Sequence, residues 1–182
     1  MMAELKDFDL KYALTVKLNL FNVEYLAKYV SENKLHSELV ALVLINEDVL
    51  SSRASWVLWH CNDIDSELII PFYSKLILNM RNKTLHYSTV RNTLRLFQKE
   101  KVPKKHEAFM LDLCYGYIKN PHEAIAIRAF SITIIYNICK FYKELFFEFS
   151  LVLSQINQPN ESAGMKSKIK NTLRDIEKEL QK

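Results

Sequence analysis

The chain has 182 residues, 49% of them apolar, and a formal net charge of +4. This length predicts one domain or a short array with a continuous core, and the charge is too small for a dedicated nucleic-acid binder. Only two glycines occur in the sequence, which disfavours sheets and tight hairpins because these use glycine at positive φ, so the composition predicts an all-α protein.

The N-terminal segment, residues 8–20, shows two competing periodicities. Apolar residues alternate with mostly polar ones from Phe8 to Leu20, which is typical of a β-strand. Leu10, Leu14 and Leu18 also lie four positions apart, as on one face of a helix. A lone strand would need a partner, such as the same strand of a second chain, so the strand alternative predicts a homodimer through this segment. The helix alternative needs no second chain.

Two further helices are predicted in the first 45 residues, over about 23–31 and 35–45. Their apolar residues repeat with a helical period, but they match the units that follow less well. Residues 1–45 are therefore predicted to be an irregular N-terminal part of the domain.

The segment 46–81 is predicted to be the first of three helical hairpins. Its first helix has Asp48 as the expected cap and runs to about Cys61. Asp65 is the expected cap of the second helix, whose apolar residues recur three and four positions apart as far as Met80.

Two more hairpins are predicted over 83–119 and 120–158. In the third hairpin, Asn120 is the expected cap and Pro121 the first helical residue, a position where proline is favoured. The last helix, over 163–181, is polar and rich in lysine, as the outer face of a terminal capping unit requires. The whole chain, 1–182, is predicted to be a single helical-repeat domain.

A basic residue recurs at a nearly fixed interval along these segments. Arg53, Arg91, Arg128 and Lys168 are separated by 38, 37 and 40 positions. Arg53 and Arg128 are each followed by alanine and preceded, five positions earlier, by an acidic residue, Asp48 or Glu123, whereas Arg91 has no such acid. A fixed period in this range indicates stacked supersecondary units, each unable to bury its apolar face alone.

These blocks resemble HEAT repeats, the helical hairpins of the HEAT and armadillo-type solenoids, over about residues 46–181. The resemblance implies an α-α superhelix of stacked hairpins. It also implies that Arg53 and Arg128 are structural, each hydrogen-bonding an acid such as Asp48 of its own or a neighbouring repeat. A planar guanidinium suits this role because it can bind several carbonyls and a carboxylate together.

The resemblance further implies a module that binds another protein and has no catalysis of its own. The second helices of such repeats normally line the concave side. The candidate contacts on those helices are Lys75, Asn79, Asp112, Tyr117, Glu148 and Gln155. The aromatic residues between 136 and 149 are predicted to be mostly core, with one face left exposed as a partner site. No catalytic or phosphate-binding motif occurs, so we expect neither a cofactor nor a metal.

Nucleic-acid binding is the alternative function. DNA-alkylation-repeat glycosylases also look like HEAT arrays, and they need a carboxylate near tryptophans in a basic concavity. Trp56, Trp59 and Asp63 resemble that set faintly, although they belong to the first helix of a repeat. A positive rim for phosphates would come from three lysines of one link, Lys101, Lys104 and Lys105. The other interpretation is that the tryptophans fill the seam between hairpins.

The three cysteines are predicted to be buried, reduced thiols. Cys61, Cys114 and Cys139 are far apart and lie in apolar helical runs, which favours a cytoplasmic protein. The N-terminus lacks a signal pattern, and the longest apolar run, Leu39–Ile45, is too short to span a bilayer. We therefore expect no membrane partner.

Overall fold

The computed structural model describes residues 9–181. Phe8 and the residues before it, on which the strand alternative and the signal-sequence argument partly depend, lie outside the described residues, as does Lys182. Every regular element from residue 9 to residue 181 is helical, so the all-α prediction is confirmed over that range.

Ten α-helices account for most of the described chain. In chain order they are α1 (Leu10–Thr15), α2 (Leu20–Glu32), α3 (His36–Leu44), α4 (Asp48–Ile64), α5 (Tyr73–Asn79), α6 (Tyr87–Phe97), α7 (Glu107–Lys119), α8 (Ile125–Cys139), α9 (Leu145–Ile156) and α10 (Ala163–Leu180). Three short 3₁₀ turns lie between them, at Ser66–Leu68, Ile70–Phe72 and Lys104–His106. The short links between successive helices are those of a series of helical hairpins.

The chain divides into two compact units. The first extends to Thr93 and the second begins at Leu94, so the boundary falls within α6. In the first unit, α4 packs against α1, α2 and α3; in the second, α8 packs against α7, α9 and α10. Each unit has fully buried apolar residues of its own, such as Leu39 in the first and Phe146 in the second. That residues 1–182 act as a single helical-repeat domain stays a prediction.

The N-terminal segment contains a helix, α1, over Leu10–Thr15, and residues 16–19 form the link to α2. The Asp9 side chain caps α1 by accepting a hydrogen bond from the Tyr12 N–H at 3.0 Å, and Leu10 and Leu14 are fully buried. The strand alternative is therefore wrong, because the four-residue spacing of these leucines lets one helical face bury both of them. Leu18 lies half-buried in the link to α2. A homodimer stays a prediction, but it can no longer rest on a strand.

Two predicted helix caps are wrong. Glu47, with an extended backbone, is the N-cap of α4, so Asp48 is already the first helical residue. Asn120 ends α7, and its side-chain oxygen accepts a hydrogen bond from the His122 N–H at 3.0 Å. This Asx turn satisfies Asn120 locally and delays the next helix, α8, until Ile125.

The second helix of the first hairpin is shorter than predicted. Asp65 caps a 3₁₀ turn, where its Oδ1 accepts a hydrogen bond from the Glu67 N–H at 3.1 Å. Pro71 lies in the next 3₁₀ turn, and α5 begins only at Tyr73. Proline has no N–H and its ring collides with a preceding helical turn, so the regular helix starts after it.

The prediction that all three cysteines are buried is confirmed, and none of them forms a disulfide. Burial is the main cause that raises the pKa of each thiol to about 12. The thiols therefore stay protonated at neutral pH and act as small apolar groups of the two cores.

Candidate functional site

Arg53 joins α4 to α1 in the first unit. Its Nη1 donates hydrogen bonds to the carbonyl oxygens of Leu14, at 2.9 Å, and Thr15, at 2.6 Å. Both carbonyls belong to the last turn of α1, where the helix itself offers no donor. Asp48 takes no part in this arrangement. The arginine thus ties α4 to the C-terminal end of α1 through neutral acceptors.

Arg128 forms a buried ion pair in the second unit. Its side chain is 4% exposed, and its Nη2 lies 2.6 Å from Oε2 of Glu161, whose side chain is 11% exposed. This hydrogen bond is the main cause that holds the Glu161 pKa below its ordinary value. Glu161 lies in the link between α9 and α10, whereas Glu123, the acid that precedes Arg128 in sequence, accepts a hydrogen bond from the Ala124 N–H. The pair therefore fastens the α9–α10 link to α8.

The residues predicted for nucleic-acid binding are divided between the two units. Trp56 and Trp59 lie half-buried on α4, where the Trp59 ring meets His60 edge-on at 4.4 Å between centroids, and Asp63 is exposed. Three exposed lysines belong to the other unit: Lys101, Lys104 and Lys105. Neither unit holds the full set. Among residues 9–181, no group of three or more His, Cys, Asp or Glu side chains could hold a metal ion.

In the first unit, the two predicted second-helix contacts differ in accessibility. Lys75 is exposed on α5. Asn79 is half-buried and exchanges two side-chain hydrogen bonds with Asn46, at 3.2 and 3.1 Å. Asn46 has a left-handed backbone, with φ of 62°. The Asn79 amide therefore holds the turn before α4 and has few hydrogen-bonding positions left for a partner.

On α7, the two predicted contacts do not share a face. Asp112 is exposed, whereas Tyr117 is half-buried, and burial is the main cause that raises the Tyr117 pKa to about 12. Residues five positions apart on a helix point in different directions. Only Asp112 lies on the open side of α7.

On α9, the two predicted contacts share an exposed face with two large apolar residues. Phe147 is 74% exposed and Leu151 is 50% exposed, and these residues lie four positions apart, as neighbours on one face. Glu148 and Gln155 are exposed on the same side of the helix. We call Phe147, Glu148, Leu151 and Gln155 the α9 surface. It corresponds to the exposed face predicted for the aromatic run.

The spacing of the apolar residues on α9 distinguishes Phe147 from the neighbouring phenylalanines. Phe146 and Phe149 are fully buried, and together with Leu153 they mark one helical stripe. Phe147 and Leu151 fall outside that stripe. The position of Phe147 relative to its neighbours, rather than its residue type, identifies it as a contact residue.

The open side of α7 carries the chain's only mid-helix glycine among the described residues. The rings of Tyr115 on α7 and Phe149 on α9 meet edge-to-face at 6.2 Å, so the two helices are neighbours. Gly116 is exposed, has no positive φ, and a Cβ placed on it would meet no atom within 4 Å. A glycine inside a helix is less stable than alanine by about 1 kcal/mol, and nothing in this unit requires it there.

Comparison with known proteins identifies one related family. The pattern of the HEAT repeat domain matches residues 10–176. No curated protein and no solved structure gave a significant match. Over the described residues, no helix combines the length and the apolar character needed to cross a membrane.

Proposed function

The chain belongs to the HEAT repeat domain family, and on that premise we propose that it is a protein-binding module without catalysis of its own. We propose that α7 and α9 bind an amphipathic helix of another protein. The second helices of stacked hairpins are the usual binding elements of such arrays, and helix-in-groove recognition is a common mode for peptide partners.

The observation that carries this proposal is the exposure of Phe147 and Leu151 on the α9 surface. Every other phenylalanine of α9 is fully buried. Removing a large apolar side chain from water stabilises a complex by about 1.5–3 kcal/mol when burial is complete. Two such residues at helical spacing supply the apolar anchors that a bound helix needs.

Gly116 and the surrounding charges indicate what kind of segment fits. Without a side chain at Gly116, a partner's backbone can come close to α7, as small residues permit at helix–helix contacts. Asp112 on α7 and Glu148 on α9 are exposed acids. The bound helix is therefore expected to carry an apolar stripe flanked by lysine or arginine.

Affinity capture from cell lysate with matched variants tests this proposal. Phe147→Asp removes an apolar anchor, and Phe21→Asp is its control, because Phe21 is 76% exposed on α2 in the other unit. We expect a captured protein that is lost with Phe147→Asp and kept with Phe21→Asp, with equal far-UV circular dichroism for both variants. Loss with Phe21→Asp alone, or no difference between the two, contradicts the proposal.

Gly116→Ala separates binding from folding at the same surface. Alanine in an exposed helix interior is expected to raise the free energy of unfolding by about 0.5–1 kcal/mol. If a partner helix approaches there, the added methyl group weakens capture of the same protein even though the chain becomes more stable. Stronger or unchanged capture would assign the binding site to another surface.

Three further predictions remain: the other candidate contacts, the homodimer and the cytoplasmic location. Residues Lys75, Asn79, Tyr117 and Gln155 stay predicted contacts. The homodimer through residues 8–20 is tested by the molar mass from light scattering over a range of chain concentrations, with Tyr12→Asp as the variant, because Tyr12 is 69% exposed within that segment. A cytoplasmic location also stays a prediction.

A further inference from the structure

The second unit contains a basic groove that the proposed helix-binding surface does not use. The groove lies between α10 and the link that follows α9, with a volume of about 630 Å³. Asn157, Gln158 and Pro159 form one wall, and the opposite wall is a flank of α10 that carries Lys166, Lys170 and Arg174. The volume is in the range of pockets that hold a ligand or a short peptide.

The three cations form a row along the groove. They lie four residues apart on α10, so successive charges are separated by about 6 Å along the helix axis. The distance along the axis from the first cation to the third is about 12 Å. Lys170 is exposed and has no acidic partner in the described part of the chain. Arg174 Nε is 3.9 Å from Asp175 Oδ1, and the two side chains are 61% and 45% exposed, so this contact contributes little.

The groove wall is held in place by two interactions. Lys166 Nζ donates a hydrogen bond to the Pro159 carbonyl at 2.6 Å. The buried pair of Arg128 and Glu161 fastens the same link to α8. Because the wall is tied at both points, the row of cations faces a surface already formed before any partner arrives.

We propose that this groove binds an extended acidic segment of a partner protein. Side chains on one side of an extended peptide repeat about every 6.6–6.8 Å, which matches the spacing of Lys166, Lys170 and Arg174. A segment with acidic residues at alternate positions can therefore place three carboxylates against three cations. The Asn157 amide can hydrogen-bond the peptide backbone, as can the side-chain oxygen of Gln158, whose amide nitrogen already donates to the Gln155 carbonyl at 2.5 Å.

The charge distribution favours a protein segment over nucleic acid. The groove supplies three cations and also carries Glu177, which would repel a continuing line of phosphates. Duplex binders commonly neutralise about 6–10 phosphates, and the whole chain has a net charge of only +4. A short acidic segment needs no charge beyond the row itself.

The test is fluorescence anisotropy with a labelled peptide in which three glutamates alternate with serines, titrated with the full chain at low and then physiological salt. We expect saturable binding that weakens with salt. Lys170→Glu should weaken it about tenfold, because a like charge replaces an attractive one. Lys105→Glu is the control: it makes the same charge change at an exposed lysine of the second unit that does not line the groove, and should alter binding less than about twofold.

Three outcomes would overturn the inference. They are no binding of the acidic peptide at low salt, an equal loss with Lys170→Glu and Lys105→Glu, and tighter binding of a labelled DNA duplex that Lys170→Glu abolishes. The last outcome would assign the groove to nucleic acid. None of these results depends on Phe147, so the groove and the α9 surface can fail separately.

Discussion

Arg53 and Arg128 occupy the same position in two repeats, yet they bind different groups. Arg53 is half-buried and donates to two carbonyls at the C-terminal end of α1. Arg128 is almost completely buried and pairs with a carboxylate in the link after its own hairpin. The repeat therefore determines that the arginine lies on the first helix of a hairpin. It does not determine which neighbouring group accepts the hydrogen bonds of the guanidinium.

The difference between the acceptors has energetic consequences. A carbonyl oxygen at a helix end carries only a partial charge, and Arg53 remains partly solvated, so its loss removes hydrogen bonds without stranding a charge. Removing one member of a buried ion pair leaves the other charge without compensation. The two arginines should thus respond very differently to the same substitution.

Arg128→Ala is expected to have the largest effect. It leaves Glu161 mostly buried without its partner, which costs about 3–5 kcal/mol in comparable pairs. Urea denaturation followed by circular dichroism gives the overall change, and hydrogen exchange should show lost protection in α8 and α10. Lys178→Ala, an exposed cation of the same unit, is the control. A loss below about 1 kcal/mol would mean that the pair contributes no more than a surface ion pair.

Arg53→Ala is expected to have a smaller effect, confined to the first unit. Two hydrogen bonds from a charged donor are lost, and each such bond contributes about 1.5–3 kcal/mol when it is well buried, less where water has access. Hydrogen exchange should increase in α1 and leave α8 and α10 unchanged. The protection of α1 in Arg53→Lys should lie between that of the unchanged protein and that of Arg53→Ala. An ammonium group can still donate to one carbonyl but lacks the planar fork of the guanidinium. Equal protection of α1 in all three would show that Arg53 does not hold it.

The sequence predicts the fold and the two arginines better than it predicts their acceptors. Helical period and the repeat of about 37–40 residues are local or regular signals, so the hairpins follow from them. Asp48 and Arg53 lie five positions apart on one helix and point in different directions, and Glu123 precedes the start of α8. Glu161 lies 33 positions after Arg128, in an irregular link, where no periodic pattern identifies it.

The candidate contacts show the same limit. Position on a predicted second helix suggested Asn79 and Tyr117, but the Asn79 side chain is paired with the Asn46 amide and Tyr117 is half-buried. Phase within the helix would have selected Phe147 and Leu151, because they lie opposite a stripe of apolar residues that packs inward. The amide pair could not be predicted from either element alone, since it depends on a left-handed turn at Asn46.

The smallest expected effect is a difference in acid sensitivity between the two units. Hydrogen bonding to Arg128 lowers the pKa of Glu161 in the folded chain, whereas the pKa of a glutamate in an unfolded chain is about 4.3. The stability contributed by the pair is therefore fully present above that value and is lost as pH falls through the lowered pKa of the folded state. The carbonyl acceptors of Arg53 do not titrate.

Hydrogen exchange as a function of pH, corrected for the intrinsic exchange rate, should show protection falling in α8 and α10 before α1. Glu161→Gln removes the titrating group and should abolish this difference. A difference that persists in Glu161→Gln would assign the acid sensitivity to another carboxylate of the second unit.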